Sequence, residues 1–368
     1  MNKFLHDLVL KGLHKLPPEI AHRTAINCLK LFPSFSTPVF DNRLRVNCLG
    51  YEFPTPLGMA AGFDKSAEIP LALLDLGFGF VEVGTVTPKP QWGNPKPRLF
   101  RLTEDQAIIN RMGFNNDGSK IVKMQLFLNK SQGNIGISIG PNAKSKDFTD
   151  DIVECITDLA PFAKYIDINI SSPNTQGLRT LQHQDELSQM LFWAINTRNK
   201  VNRRCNLLIK ISPDITLKEL DDIVDVALFR EINGIVIANT TVSRPNTIIS
   251  SLGSERGGLS GPLLFDNTVK MLAHAYCRIK EKQGDLVLIG SGGITTGIQA
   301  LTQIMAGASL VQIYTSFVYK GPNIINIIND DLIDCITKMG VTNISNLIGL
   351  NAKTIVNQNS VDNELPTI

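Results

Sequence analysis

The chain has 368 residues, 43% of them hydrophobic and 19% charged, with a formal net charge of +2. This is the composition of an ordinary globular protein, long enough for one large domain with residues to spare, and its charge gives no reason to expect a nucleic-acid partner. The six cysteines (Cys28, Cys48, Cys155, Cys205, Cys277, Cys335) form no CxxC pair and the five histidines (His6, His14, His22, His183, His274) no ligand cluster, so structural thiols in a reducing compartment and no metal site are expected.

At the amino terminus, Phe4, Leu5, Leu8, Val9, Leu13 and Leu16 share one face of a helix, with Lys3, Asp7, Lys11 and His14 mostly elsewhere. Pro17-Pro18 stops it. Glu19-Ile20-Ala21-His22 opens a second helix carrying Ile26, Leu29, Leu31 and Phe32 before Pro33. Neither helix has the roughly 18 uninterrupted apolar residues that cross a bilayer. Two such helices ahead of a globular domain either plug its base or lie on a membrane surface as the entrance for an apolar substrate.

Eight strand-like runs follow: Leu57 to Ala61, Phe80 to Gly84, Asn134 to Ile139, Tyr165 to Ile170, Leu207 to Ile211, Gly234 to Ala238, Leu286 to Gly290 and Leu310 to Ile313. Segments with helical apolar spacing separate them, such as Ile152, Cys155, Ile156 and Leu159, or Ile223, Val224, Ala227 and Leu228. Short apolar strands alternating with helices are parallel βαβ units, and eight of them predict an α/β fold of the (β/α)8 TIM-barrel type with a two-helix extension. The expected divisions are 1–40 for the helical segment, 41–340 for the barrel and 341–368 for a polar, loosely held tail. Active sites of such barrels lie at the C-terminal strand ends.

Those ends are where the unusual residues fall. The first strand runs into Ala60-Ala61-Gly62-Phe63-Asp64-Lys65, whose small residues allow a flat ligand to approach the backbone while Lys65 supplies a cation. The second ends in Gly84-Thr85-Val86-Thr87-Pro88 and leads through a Pro-rich basic stretch to Asn110-Arg111-Met112-Gly113-Phe114-Asn115-Asn116, a set of amide donors and acceptors. The fourth ends in Asn169-Ile170-Ser171-Ser172-Pro173-Asn174, where Pro173 cannot continue a ladder and the turn displays a hydroxyl and two carboxamides. Lys210, inside the apolar fifth strand, must face the barrel mouth or find a partner. A Schiff base, a cation beside a flavin and a pair with a neighbouring carboxylate all remain open for it. Gly261, the Gly290-Ser291-Gly292-Gly293 run after the seventh strand, and Tyr314-Thr315 after the eighth form the usual phosphate cradle of this barrel.

These segments resemble the dihydroorotate dehydrogenases. The resemblance is carried by Ala60 to Lys65, Gly84 to Pro88, Pro97 to Leu102, Asn110 to Asn116, Asn169 to Asn174 with Gly177-Leu178-Arg179, Gly257 to Gly261, and Gly307 to Tyr314, and covers residues 1 to 340. It implies that Ser172 removes the proton from carbon 5 of dihydroorotate while carbon 6 gives hydride to N5 of FMN, yielding orotate, with Thr175 and Phe114 assisting. It further implies that Lys65, Asn110, Arg111, Met112, Gly113, Phe114, Asn169, Asn174, Asn239 and Thr240 form the substrate site. FMN, one per chain, would be held by Ala61, Lys65, Thr85, Ser138, Asn169, Lys210, Ala238, Gly261, Gly293, Tyr314 and Thr315. This favours the flavin reading of Lys210.

Serine rather than cysteine at 172, together with the amino-terminal helices, is similar to the membrane-associated, quinone-dependent class 2. The helices would then form a tunnel for ubiquinone or menaquinone, with His22, Arg101 and Tyr314 along it. Location on the cytoplasmic face of a bacterial inner membrane is the matching expectation; a soluble class 1-like dehydrogenase, a lyase using Lys210, and a phosphate-binding barrel without catalysis are the alternatives. Ser138, Pro141 and Ala238 depart from the family's usual Asn, Lys and Thr.

Overall fold

The computed structural model describes residues 3–31, 38–129 and 133–364, with side chains described from residue 9 to residue 358 within those ranges. Eight strands, β1 (Leu57–Met59), β2 (Phe80–Val86), β3 (Ile135–Ile139), β4 (Tyr165–Asn169), β5 (Asn206–Lys210), β6 (Gly234–Ile237), β7 (Val287–Ser291) and β8 (Leu310–Ile313), close into a barrel. Every pairing is parallel and joins sequence neighbours, with β8 closing onto β1. Such strands are buried on both faces and so read as nearly continuous apolar runs; Ile137, Ile139, Ile166, Ile168, Leu207 and Ile209 are fully buried. All eight predicted strands are present, within a residue or two at their ends. Large and small residues interlock inside: the Tyr165 ring occupies the space a Cβ at Gly136 would take, and the Phe80 ring that of Gly58.

Strand pairs outside the barrel close its lower end and build its rim. At the base, Val46–Cys48 and Tyr51–Phe53 form a hairpin whose Leu49 and Gly50 both take positive φ, as its two-residue turn requires. It seals that end: Phe53 meets Phe80 edge-on at 5.6 Å, and Asn206 donates to the Leu49 carbonyl at 2.8 Å. At the rim, Leu99–Leu102, Ala107–Asn110 and Gly258–Ser260 make an antiparallel sheet over its own small core of Phe100, Leu102, Ala107, Ile109 and Leu259.

The two amino-terminal helices, α1 (Lys3–Lys15) and α2 (Pro18–Leu31), are formed as predicted. They lie at the mouth and not the base, because α2 supplies wall residues to the cavity that opens at the C-terminal strand ends. The side chains of Phe4, Leu5 and Leu8, and Phe32 and Pro33 altogether, are outside the described residues. The carboxyl-terminal segment differs from expectation. Ala352–Glu364 is a helix, with Ala352 fully buried and Ile355 and Val356 against the core, so three apolar contacts hold a stretch whose polar composition reads as loose.

Candidate active site

A cavity of about 980 Å³ opens at the mouth. Its wall combines α2, the ends of β1, β2, β4, β5 and β6, and the loop of residues 90–98. A smaller recess of about 90 Å³ continues it, sharing Ala61, Lys210, Asn239, Thr240, Ser260 and Tyr314.

The amide cluster predicted from the strand ends is assembled on one side. Asn169 donates to Thr85 Oγ1 at 3.0 Å, while its Oδ1 accepts from Asn239 Nδ2 at 3.1 Å. Asn239 also donates to Ser171 Oγ at 2.9 Å, and its Oδ1 accepts from the Thr240 amide. Asn174 donates to the Asn110 carbonyl at 3.2 Å, tying the fourth strand's turn to the rim sheet. Ser172 borders the cavity; its Oγ accepts from the Asn174 amide at 3.3 Å, its only bond among the described residues. Met112, Gly113 and Phe114 complete this wall. Phe114 holds a positive φ of 53°, a cost of order 1–2 kcal/mol, and Asn116 restrains it by donating to its carbonyl at 2.8 Å.

The recess is a glycine cradle bordered by Gly261, Gly292, Gly293, Thr295, Thr315 and Ser316. A Cβ on Gly293 would stand 2.4 Å from Phe265 Cα, and its φ of +81° is itself the left-handed region. Ser316 Oγ and Gln312 Oε1 are buried without a partner, and Ser260 and Thr315 share a hydroxyl contact at 2.9 Å. Exposed backbone N–H groups, hydroxyls and no carboxylate suit a phosphate, and the flat floor of Ala60, Ala61 and Ala238 suits a planar ring. The residues present therefore fit a phosphorylated, ring-bearing cofactor. Gly293→Ala is expected to weaken retention of that cofactor roughly tenfold or more, as the strained backbone alone costs about 1–2 kcal/mol; equilibrium dialysis measures it.

Cations border the junction. Lys65 borders the cavity and donates to the Gly62 carbonyl at 2.6 Å; burial pulls its ammonium down to about 8 although Asp64 and Glu19 push the other way. Lys210 resolves one open question: its ammonium pairs with Glu82 at 3.5 Å and is nearly fully buried, yet it borders both cavity and recess.

The wall under α2 mixes aromatic and aliphatic residues with the polar Glu19, Arg23, Thr24 and Asn27. His22 meets Phe63 edge-on at 5.2 Å, and Phe63 meets Tyr314 at 5.9 Å and Phe317 at 5.2 Å. Burial, with the nearby Lys65 and Arg23 charges, holds His22 well below the usual imidazole range, so it is neutral at pH 7. Burial pushes the Tyr314 hydroxyl up to about 12. Arg98 anchors α2 here, donating to Glu19 at 3.0 and 3.1 Å and to the Trp92 and Asn94 carbonyls.

Three predicted residues stand apart. Arg111 turns its guanidinium away from the cavity, pairing with Glu255 at 2.8 Å and stacking on Phe100 at 4.5 Å. Arg101 donates to the Leu13 and Leu16 carbonyls and so grips the end of α1 instead of lining the cavity. Ser138 is fully buried behind Thr85, sharing a hydroxyl contact at 3.1 Å. The sequence reading missed Gln312, Glu82 and Asp167; each is a polar residue within a mostly apolar strand, the same signal that marked Lys210.

Fold and site together define a (β/α)8 barrel with an amide-lined cavity and an adjoining glycine cradle at its mouth. Comparison with known proteins narrows this. Residues 43–336 match the family described as dihydroorotate dehydrogenase. A protein of Bradyrhizobium sp. (strain ORS 278) named dihydroorotate dehydrogenase (quinone) is 48% identical over 360 residues, 96% of this chain and 98% of the relative. One of the same name from Rhodopseudomonas palustris (strain BisA53) is 46% identical over 353 residues, 95% of this chain and 96% of the relative. The crystal structure of the Eimeria tenella dihydroorotate dehydrogenase in complex with ferulenol superposes with a TM-score of 0.88 at 40% identity, covering 93% of this chain and 98% of that one. The chain belongs to the dihydroorotate dehydrogenase family.

Proposed function

We propose that this chain oxidises dihydroorotate to orotate, a step of de novo pyrimidine (UMP) biosynthesis, and passes the electrons through bound FMN to a membrane quinone, as a class 2 member. The observation that carries the reading is one cavity with three unlike sides: the amide cluster around Ser172, the glycine cradle, and the aromatic wall under α2.

The bound flavin supplies a two-electron acceptor that a quinone can reoxidise. The chain supplies the rest. Asn110, Asn169, Asn174, Asn239 and Thr240 present donors and acceptors to the ring and carboxylate of the substrate, and Lys65 adds a positive charge. Ser172 Oγ takes the carbon-5 proton; a hydroxyl is a weak base, so the proton must pass onward to water. Ala61, Thr85 and Ala238 form the flavin bed, Lys210 offers a cation at its edge, and Gly261, Gly293, Thr315 and the Tyr314 backbone hold the phosphate. The small cradle suits the single phosphate of FMN. Ser138 acts on the flavin through Thr85, and Arg111 and Arg101 hold the rim and α1 in place without touching a ligand.

His22, Phe63 and Tyr314 border the quinone's path. The neutral imidazole and the un-ionised phenol can each donate to a quinone carbonyl. Val9, Ile20 and Leu31 are exposed aliphatic residues on α1 and α2, as a helix pair resting on lipid requires. No helix among the described residues is long and apolar enough to cross a membrane; the attachment proposed is peripheral, through the exposed faces of α1 and α2.

The test is spectral. The purified protein should be yellow, release FMN on denaturation, bleach anaerobically with dihydroorotate and regain colour with quinone. A colourless protein that takes up no FMN would overturn the reading. Lys65 adds a pH dependence: the ammonium that attracts the carboxylate is present below about 8 and lost above it. Orotate affinity should therefore fall as pH rises through that value, and Lys65→Gln should flatten the profile, as titration against flavin absorbance will record.

A further inference from the structure

Inside the barrel, below the cavity, two carboxyl groups and one ammonium are enclosed together. Glu82 on β2 is fully buried and collects three donors: the Tyr165 hydroxyl at 3.0 Å, Gln312 Nε2 at 2.8 Å and Lys210 Nζ at 3.5 Å. Asp167 on β4 is equally buried and collects none, both of its oxygens lacking a partner. It stands two residues before Asn169 and so on the same inward face of the strand. Its register partner on β3 is Ser138, whose hydroxyl is engaged with Thr85 at 3.1 Å and only weakly favours a charge on the Asp167 carboxyl.

One cation cannot neutralise two carboxylates, and an ion buried with neither donor nor counter-charge gives up its charge. The donors decide which one does. Glu82 has three and Asp167 has none. The ionisable groups facing Asp167 are Glu82, Lys210 and Tyr165; burial first and the Glu82 charge second push its carboxyl well above the usual range, with Lys210 and, least, the Ser138 hydroxyl opposing. The Tyr165 hydroxyl, held on Glu82, is pushed up as well and stays neutral.

We propose that Glu82 positions the Lys210 ammonium as its one counter-charge, and that Asp167, the second carboxyl of the same enclosure, is a neutral acid. Lys210 then has a single anchor and a fixed direction toward the recess. The consequence for the cofactor rests on the reading of Lys210 as the cation at the flavin edge: what the flavin meets is a balanced Lys210–Glu82 pair, and Asp167 adds no negative charge behind it.

Two measurements test this. In wild-type protein with 13C-labelled aspartate, with and without flavin, the infrared spectrum at neutral pH should contain a protonated-acid carbonyl band that moves on labelling and is lost in Asp167→Asn. Absence of such a band means that Asp167 is ionised and overturns the assignment. The second is the affinity ratio for reduced over oxidised FMN, obtained from the potentials of bound and free flavin. Glu82→Gln should raise it on the order of tenfold, by leaving the Lys210 cation without its counter-charge, while Asp167→Asn should leave it unchanged. A merely structural Glu82 would lower the melting temperature and not move the ratio, and a rise in Asp167→Asn would make that residue the carboxylate; either result sinks the proposal. Should Glu82→Gln not fold, Glu82→Asp keeps the charge but withdraws it from Lys210, and the ratio should again rise. A protein that takes up no flavin would defeat the flavin reading by itself, while the infrared band would still decide the state of Asp167.

Discussion

Ser172→Ala should leave FMN bound and slow flavin reduction by dihydroorotate by roughly two to four orders of magnitude, the range for losing a general base. Ser172 is separate from the cradle: it borders the large cavity but not the recess of Gly261, Gly293 and Thr315. Its hydroxyl accepts one backbone bond and gives none to the described residues, so removing it leaves no strong donor stranded. The effect should therefore fall on proton removal and spare folding and flavin content. Stopped-flow bleaching of the flavin is the measurement, and a near-normal rate in a flavin-loaded mutant would take Ser172 out of the chemistry.

Removing residues 2–31 should abolish efficient reoxidation by a long-tailed quinone, by roughly 100-fold or more given the loss of positioning, while flavin reduction by dihydroorotate continues. No residue of α2 borders the cradle, so the cofactor should stay. Arg98 loses Glu19 yet keeps the Trp92 and Asn94 carbonyls, so the substrate-side loop retains its internal tie. Ala21 and Ile26 are the described α2 side chains buried against the body, a modest apolar loss. FMN content is measured first, because its loss would mean that the helices seal the core. A folded, flavin-loaded truncation that reoxidised at the full rate would disprove the quinone role of α1 and α2, and with it their contribution to vesicle binding.

The barrel was legible because its strands are buried on both sides and its helices carry the apolar period; neither signal depends on distant contacts. The base hairpin and rim sheet were not, since strands of three or four residues such as Val46–Cys48 and Gly258–Ser260 are too short for alternation to stand out. Asn169, Ser172, Asn174 and Gly293 could be read as site residues from their place at strand ends. Arg111 sits among those amides in sequence, but the residue's alternation along the rim sheet sends its side chain toward Glu255. Glu82, Asp167 and Gln312 show the opposite failure: the strands were read for their apolar majority, and the polar minority is what the interior is built around. That α2 roofs the mouth depends on Arg98 meeting Glu19, a contact across 79 positions that no local pattern announces.

The sealed base makes this barrel a one-ended vessel. With the hairpin of Val46–Phe53 over the floor, the cavity lies at the opposite, rim end of the barrel. At that rim the carboxamides of Asn110, Asn174 and Asn239 and the apolar Ile20, Ile26 and Phe63 border one and the same cavity, so a polar and an oily ligand would each find matching side chains in it.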